Sequence, residues 1–366
     1  MHPSPVNWSL RTIRVNSLST RPTRTTPLSL NQSFRTLTSK YFHKSSQHKM
    51  KTASITAWGQ PPVFNATSPG LPAPTESQIR AHVLATSIPP VVRGRALGLH
   101  PSSKGATLPY DPSLDGVVLD QNTGDTYYVT PLAAKLWAEE VNVEKQAAVK
   151  LPRGVDPVAV AAWTNPVGSS WMALKCRALP NSVQGARVLV MGVTSLSGRA
   201  AVHVAKDLGA SSIIGASRKQ ETLDQVTGLD GRVLLTDPFV LPKEVGPIDI
   251  ILDFVGGRAA IGALSTAQIE AGKELQYIHV GDLAGEEEIM LPSKLLNARP
   301  IRITGSGMGA WGKGEVKREI GGLLECVSRM ERPEEVVTVG LEELPAVWDS
   351  EEVKGKRLVL TPTVKE

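Results

Sequence analysis

Beyond about residue 187 the chain alternates short, near-continuous runs of Val, Ile and Leu with longer segments whose apolar residues recur at helical spacing. "RVLVMG", "SIIGAS", "RVLLTD", "IDIILDFVG", "ELQYIHVG" and "IRITGSG" are six such runs, joined by connections of βαβ length. A strand that is apolar on both sides must be covered on both faces. The pattern therefore predicts an α/β fold with a six-stranded, doubly wound parallel sheet. Residues 52–160 read differently. "IRAHVLAT" alternates and "TYYVT" is β-rich, while "GQPPV", "SPGLPAP" and "SIPP" punctuate, which predicts a small β-barrel-like domain. Between the two, "VAVAAWTNPVGSSWMALKCRAL" predicts two helical pieces broken at Asn165-Pro166. The tail predicts one more helix at about 315–330, then the strands "EEVVTVGL" and "KRLVLTP".

With 366 residues and 41% hydrophobic content the chain has material for two domains. Its two cysteines, Cys176 and Cys326, lie far apart in apolar, helix-like stretches. One disulfide is arithmetically open, but two free buried thiols, and with them a reducing compartment, are the expectation. No apolar run approaches the ~20 residues needed to cross a bilayer. The pI of 9.1 suggests a nucleic-acid partner until the charge is placed. Residues 1–50 carry eight of the 40 Lys and Arg and no acid, which leaves 32 basic against 35 acidic residues in 51–366. No basic stripe survives to follow a phosphate backbone, so neither nucleic acid nor membrane is expected as a partner. The leader is also rich in Ser and Thr. It reads either as a mitochondrial transit peptide, placing the protein in the matrix, or as an extension upstream of a true start at Met50, placing it in the cytoplasm. On either reading residues 1–50 stay outside the fold.

The chemistry concentrates in "VLVMGVTSLSGRAAVHVAKDLGA", residues 188–210, a buried strand, a tight turn and a helix. Such a turn holds a dinucleotide when its backbone N–H groups reach the pyrophosphate and the helix N-terminus adds partial positive charge. Gly192 stands at the strand end and Gly198 at the helix–sheet contact. Ser195 occupies the place of the middle glycine, and Thr194, Ser195 and Ser197 offer hydroxyls where phosphate oxygens would lie. Strand-to-helix turns of any kind collect Gly and Ser, so the turn alone does not establish a cofactor. The following strand ends in Ser217, Arg218 and Lys219, where an NAD site would place an acid on the ribose 2′-hydroxyl. A solvated basic loop is one account of these residues. A grip on the 2′-phosphate of NADPH is the more economical one.

With these residues in view, Lys51 to Pro362 resembles the zinc-independent quinone oxidoreductase branch of the medium-chain dehydrogenase/reductases. The matching stretches run in order: "ITAWGQPP", "NPVGSSWMAL", the turn above, "IDIILDFVGG", "YIHVGDLAG", "LPSKLL", "GSGMG" and "GKRLVLTP". The resemblance implies a GroES-like catalytic domain split between 51–164 and 310–366, a Rossmann NADPH-binding domain over 165–309, and an active site in the cleft between them. It also implies homodimers through the Rossmann sheet. By position, Leu196 joins Thr194, Ser195 and Ser197 at the pyrophosphate. Phe254 and Val255 fall near the ribose and nicotinamide, Val280, Gly281, Ser306 and Gly307 end the last two strands beside it, and Asn165, Ser169 and Trp171 line the substrate cleft.

Two isolated cysteines cannot build the catalytic or structural zinc sites of the superfamily, so no metal is expected. What remains is hydride transfer from NADPH to a quinone or an α,β-unsaturated carbonyl compound, a small electrophile. For the proton donor, Arg95, His100 and Tyr110 are the candidates in the loop where some relatives carry a tyrosine, and solvent is the alternative. His203, on the helix after the turn, reads as packing. The chain also departs from its relatives. "PSLDGVV" has Ser113 and Val118 for two glycines, and "AAKLWAEEV" replaces a glycine-rich strand entry. These departures keep two other readings open: a trans-acting enoyl reductase of a biosynthetic pathway, and a non-catalytic NADPH-binding paralogue.

Overall fold

The computed structural model describes residues 49–363, save 287 and 289, and the expectations for residues 1–48 lie outside the described residues. The first part supplies β1 (Lys49–Ser54), β2 (Val63–Pro69), β3 (Gln78–Ile88), α1 (Pro90–Ala96), β4 (Gly116–Asp120), β5 (Thr126–Val129), β6 (Glu140–Glu144) and β7 (Ala148–Lys150). Helix α2 (Pro157–Cys176) leads into β8 (Arg187–Met191), α3 (Leu196–Asp207), β9 (Ser212–Ser217), α4 (Gln220–Asp224), β10 (Gly231–Leu234), β11 (Ile250–Asp253), α5 (Gly257–Thr266), β12 (Leu275–His279), α6 (Ser293–Ala298) and β13 (Ile301–Gly305). The tail adds α7 (Lys313–Ser328), β14 (Val336–Val339), α8 (Leu344–Val347) and β15 (Arg357–Leu360).

Strands β10-β9-β8-β11-β12-β13 form a six-stranded sheet in which every pairing is parallel. Its central strands are covered on both faces, as their composition demands. Val188 and Val190 pack against Val167, Trp171, Ala200, Val204 and Leu323 on one side, while Leu189 and Met191 pack against Ile251, Ala260 and Leu264 on the other. Each of these fully buried aliphatic side chains contributes about 1.5–3 kcal/mol. The second sheet runs β14-β15-β3-β4-β5-β7, with β6 on β3, and β1 and β2 form a separate antiparallel pair. Strand β15 pairs antiparallel with β3, so the end of the chain completes a sheet begun almost 300 residues earlier.

Helix α2 corrects one expectation. It runs unbroken through Pro166, with Asp156 capping its first turn by accepting from Val158 N–H at 2.9 Å. A proline inside a helix removes one hydrogen bond and crowds the preceding turn. Here Val158–Thr164 and most of Pro166–Leu174 are buried, and that packing on both sides of the proline outweighs the local preference to break. Both cysteines are free, Cys326 buried and Cys176 only half-buried. Among the described residues no helix is long and apolar enough to cross a membrane.

Candidate active site

The turn after β8 explains how a serine can stand for a glycine. Gly192 has φ +82°, and a Cβ there would come within 3.2 Å of Val255. At Gly198 a Cβ would lie 2.4 Å from the Gly192 carbonyl oxygen and 2.5 Å from Val193 Cα, so α3 can approach the strand only without a side chain. Ser195 meets neither constraint. Its φ of −71° suits any L-residue, and its hydroxyl accepts from Gly198 N–H at 3.1 Å while donating to the Gly192 carbonyl at 2.8 Å. It is the N-cap of α3, and the first-turn N–H groups and dipole of this helix are available to an anion. Ser195→Ala is therefore expected to lower stability by about 1 kcal/mol and Ser195→Gly by only a few tenths. Thermal denaturation of the two variants beside the parent measures this directly.

A cavity of about 620 Å³ opens over the turn, bordered by Gly192, Thr194, Ser195, Ser217, Arg218 and Lys219. Thr194 and Ser217 share a hydrogen bond of 2.9 Å between their hydroxyls, which fixes the turn to the end of β9. The cavity holds four cations. Arg258 is paired with Asp237 at 3.4 Å and Glu286 at 3.5 Å, and Arg199 with Glu335 at 3.2 Å. Arg218 and Lys219 are exposed and make no ion pair among the described residues, so their charge is uncommitted. Arg199 was missed in the sequence; its only signal was a basic residue directly after Gly198.

Asp253 organises the neighbouring loop. Its Oδ1 accepts from the N–H groups of Val255 at 2.7 Å and Gly256 at 3.0 Å, and its Oδ2 accepts from the Tyr277 hydroxyl at 2.6 Å. The N–H groups of Val280 and Gly281 both donate to the Asp253 carbonyl. The buried Phe254 and the half-buried Val255, Val280 and Gly281 are thereby brought together, with Val255 in the wall of the cavity. Ser306, buried at the end of β13, donates its N–H to the His279 carbonyl and accepts from Trp311 Nε1 at 3.0 Å; Gly307 follows it.

Of two further cavities, only the first borders the turn region. One, of about 650 Å³, shares Thr194, Ser195 and Leu196 with it and is bounded across by Arg93, Trp348 and Arg357. Another, of about 630 Å³, is largely apolar; Leu132, Met172, Met308 and Trp311 form much of its wall, with Asn165 and Asp115. Of the three cleft residues suggested by resemblance, Asn165 lines this cavity. Ser169 instead donates to the Pro166 carbonyl at 2.7 Å, and Trp171 is buried with its Nε1 on Glu319 at 3.3 Å.

The candidate proton donors gather elsewhere. Arg95 is buried, donating to the Pro112 carbonyl at 2.8 Å and to Ser102 at 2.6 Å, with its guanidinium 5.4 Å from the Tyr110 ring. Tyr110 leans on Trp58, its ring centroid 5.5 Å away, and its hydroxyl has no hydrogen-bond partner among the described residues. His100 accepts from Ser102 N–H at 3.2 Å, and burial holds its imidazole below the usual range. The three knit one loop together and line none of the three cavities. His203 sits at the surface of α3 with its ring 6.2 Å from Trp163.

No family model matches the chain. It is 42% identical over 358 residues to "Probable NADPH-dependent quinone reductase tdiC" of Emericella nidulans, covering 86% of this chain and 100% of that one. Among solved structures it is similar to the quinone oxidoreductase of Thermus thermophilus, solved also in complex with NADPH. That likeness has a TM-score of 0.66 at 25% identity, over 85% of this chain and all of the other. A mycobacterial protein complexed with NADPH shares the fold at 16% identity and a TM-score of 0.64, over 86% and 100% of the two chains. With its paired sheets, its glycine turn and a full-length relative of that name, the chain belongs to the quinone oxidoreductases of the medium-chain dehydrogenase/reductase superfamily.

Proposed function

We propose that the protein is an NADPH-dependent reductase of quinones and related conjugated carbonyl compounds, working without zinc. One observation carries this reading. The turn keeps glycine at the two positions where its geometry demands one, replaces the third by a serine that caps the helix, and opens on two uncommitted cations. Gly192, Thr194, Ser195, Leu196, Ser197 and Gly198 would hold the pyrophosphate, and Ser217, Arg218 and Lys219 the 2′-phosphate. Phe254, Val255, Val280, Gly281, Ser306 and Gly307 would flank the nicotinamide end. Bound there, NADPH supplies the hydride. The chain's part is to orient the acceptor, exclude water through the apolar wall of Leu132, Met172, Met308 and Trp311, and deliver the proton.

Neither the enoyl reductase nor the non-catalytic alternative is favoured, because the turn is intact and the full-length relative is named a quinone reductase. An acceptor panel tests the reading. NADPH consumption is expected with benzo- and naphthoquinones and with simple enones, and not with carrier-bound enoyl thioesters. Turnover of the thioesters alone would favour the enoyl reductase.

A second copy of the chain is the proposed macromolecular partner. Strand β13 is the edge of the parallel sheet, with Ile303 40% and nearby Leu296 49% exposed. An apolar edge left open is prone to pair with another. Sedimentation should show a dimer that Ile303→Lys converts to monomer; a parent protein sedimenting as a monomer at every concentration would rule this out.

A further inference from the structure

The cavity of about 650 Å³ sets the turn against the end of the chain. Thr194, Ser195 and Leu196 belong to one wall, and the segment from Trp348 to Leu358 supplies most of the other. The charges around it do not balance. Each acid has a cation: Glu335 pairs with Arg199 at 3.2 Å, Asp349 with Arg93 at 3.8 Å and Glu351 with Lys354 at 3.2 Å. Lys356 and Arg357 are left over. Lys356 is exposed, so water serves its charge, whereas Arg357 is half-buried.

Strand geometry aims Arg357 at the space before the turn. Along β15, Leu358 and Leu360 pack into a core with Ile88 and Trp348, while Val359 packs on Val158, Ala161 and Ala162 of α2. Side chains alternate along a strand, so Arg357 shares the Val359 face, toward the helix that leads into the parallel sheet. Among the described residues its guanidinium makes no hydrogen bond or ion pair, and the buried Asp115 acts on it only through space. None of its nitrogens is sealed from solvent, so a ligand in the cavity can reach them. Burial lowers the guanidinium to about 10, which leaves it charged at neutral pH. A half-buried cation with no partner is destabilising until an anion meets it.

We propose that Arg357 is a cofactor-binding residue, donating to the pyrophosphate from the side of the cavity opposite the turn. The assignment rests on the NADPH reading above. The turn offers hydroxyls and first-turn N–H groups, and the guanidinium offers a fork that suits two phosphate oxygens. Helix α3 lies on the parallel sheet and β15 belongs to the other sheet, so the two halves of the protein share one ligand. The pyrophosphate is common to NADPH and NADH. Arg357 therefore adds affinity for both and selects neither, unlike Arg218, whose assigned contact is the 2′-phosphate.

Calorimetric titration of Arg357→Met with NADPH, NADH and adenosine 2′-monophosphate tests this, beside thermal denaturation without nucleotide. Both dinucleotides should bind about 10- to 100-fold more weakly. Adenosine 2′-monophosphate, which has no pyrophosphate, should bind as it does to the parent. The melting temperature should stay close to the parent's, because the guanidinium gives up no hydrogen bond or ion pair. Parent-like affinity for both dinucleotides would overturn the assignment. So would a loss confined to NADPH, which would put Arg357 on the 2′-phosphate, or a lowered melting temperature with all three ligands weakened, which would make its role structural. If Arg357→Met does not fold, Arg357→Lys decides, since it keeps the charge and loses the fork: a weakening shared by both dinucleotides supports the assignment, and parent-like binding overturns it. A parent protein that binds neither dinucleotide would instead overturn the NADPH reading, and the proposal with it.

Discussion

Gly198→Val should abolish useful NADPH binding, weakening it about a hundredfold or more, and should lower stability by about 3 kcal/mol. The contact that forces this is backbone on backbone. A Cβ at Gly198 would meet the Gly192 carbonyl oxygen, Val193 Cα and Val193 carbonyl carbon at 2.4, 2.5 and 2.8 Å, and none of these is the yielding end of a side chain. Helix α3 would have to retreat from β8. Its first-turn N–H groups and the Ser195 cap would retreat with it. Retreat also loosens the packing of Ala200, Ala201 and Val204 against Val188 and Val190. Fluorescence titration with NADPH and thermal denaturation of the same preparation separate the two effects. A variant that binds NADPH like the parent would show that the turn is not the pyrophosphate site.

Arg218→Ala should weaken NADPH binding about 10- to 100-fold while leaving NADH binding unchanged, since a hydrogen bond to a charged group is worth about 1.5–3 kcal/mol. Arg218 is exposed, so part of that energy is screened, and the loss should shrink as salt is added. Lys219 supplies a second, less directional charge, and the double variant should lose the preference for NADPH altogether. Equal losses for NADPH and NADH would move these residues off the 2′-phosphate. Titrating both nucleotides at two ionic strengths makes the distinction.

The parallel sheet was legible because its signal is local. Runs such as "RVLVMG" and "IDIILDFVG" state in their own composition that both faces are covered, and β8 and β11 are buried along nearly their whole length. The two glycines of the turn were legible for the same reason. What Ser195 does was not, because its φ and its twofold hydrogen bonding are set by how α3 docks on the sheet. Pro166 misled through its local preference, which the packing around α2 overrides.

The site itself was partly hidden. Asp115, within "PSLDGVV", is buried by contacts that its own stretch does not contain. The pairing of β4 with β5 brings the Tyr128 hydroxyl onto its carboxyl, and the last strand carries in Arg357. Arg95, His100 and Tyr110 offered the right chemistry in a loop whose packing turns them toward one another. Tertiary pairing decided each of these, and no window of sequence contains it.

The most direct test of the account is fluorescence titration of the parent protein with NADPH and with NADH. Saturable NADPH binding is expected, with NADH binding weaker by about 10- to 100-fold, the share assigned to the 2′-phosphate contacts. Equal affinity for the two, or binding of neither, would contradict it.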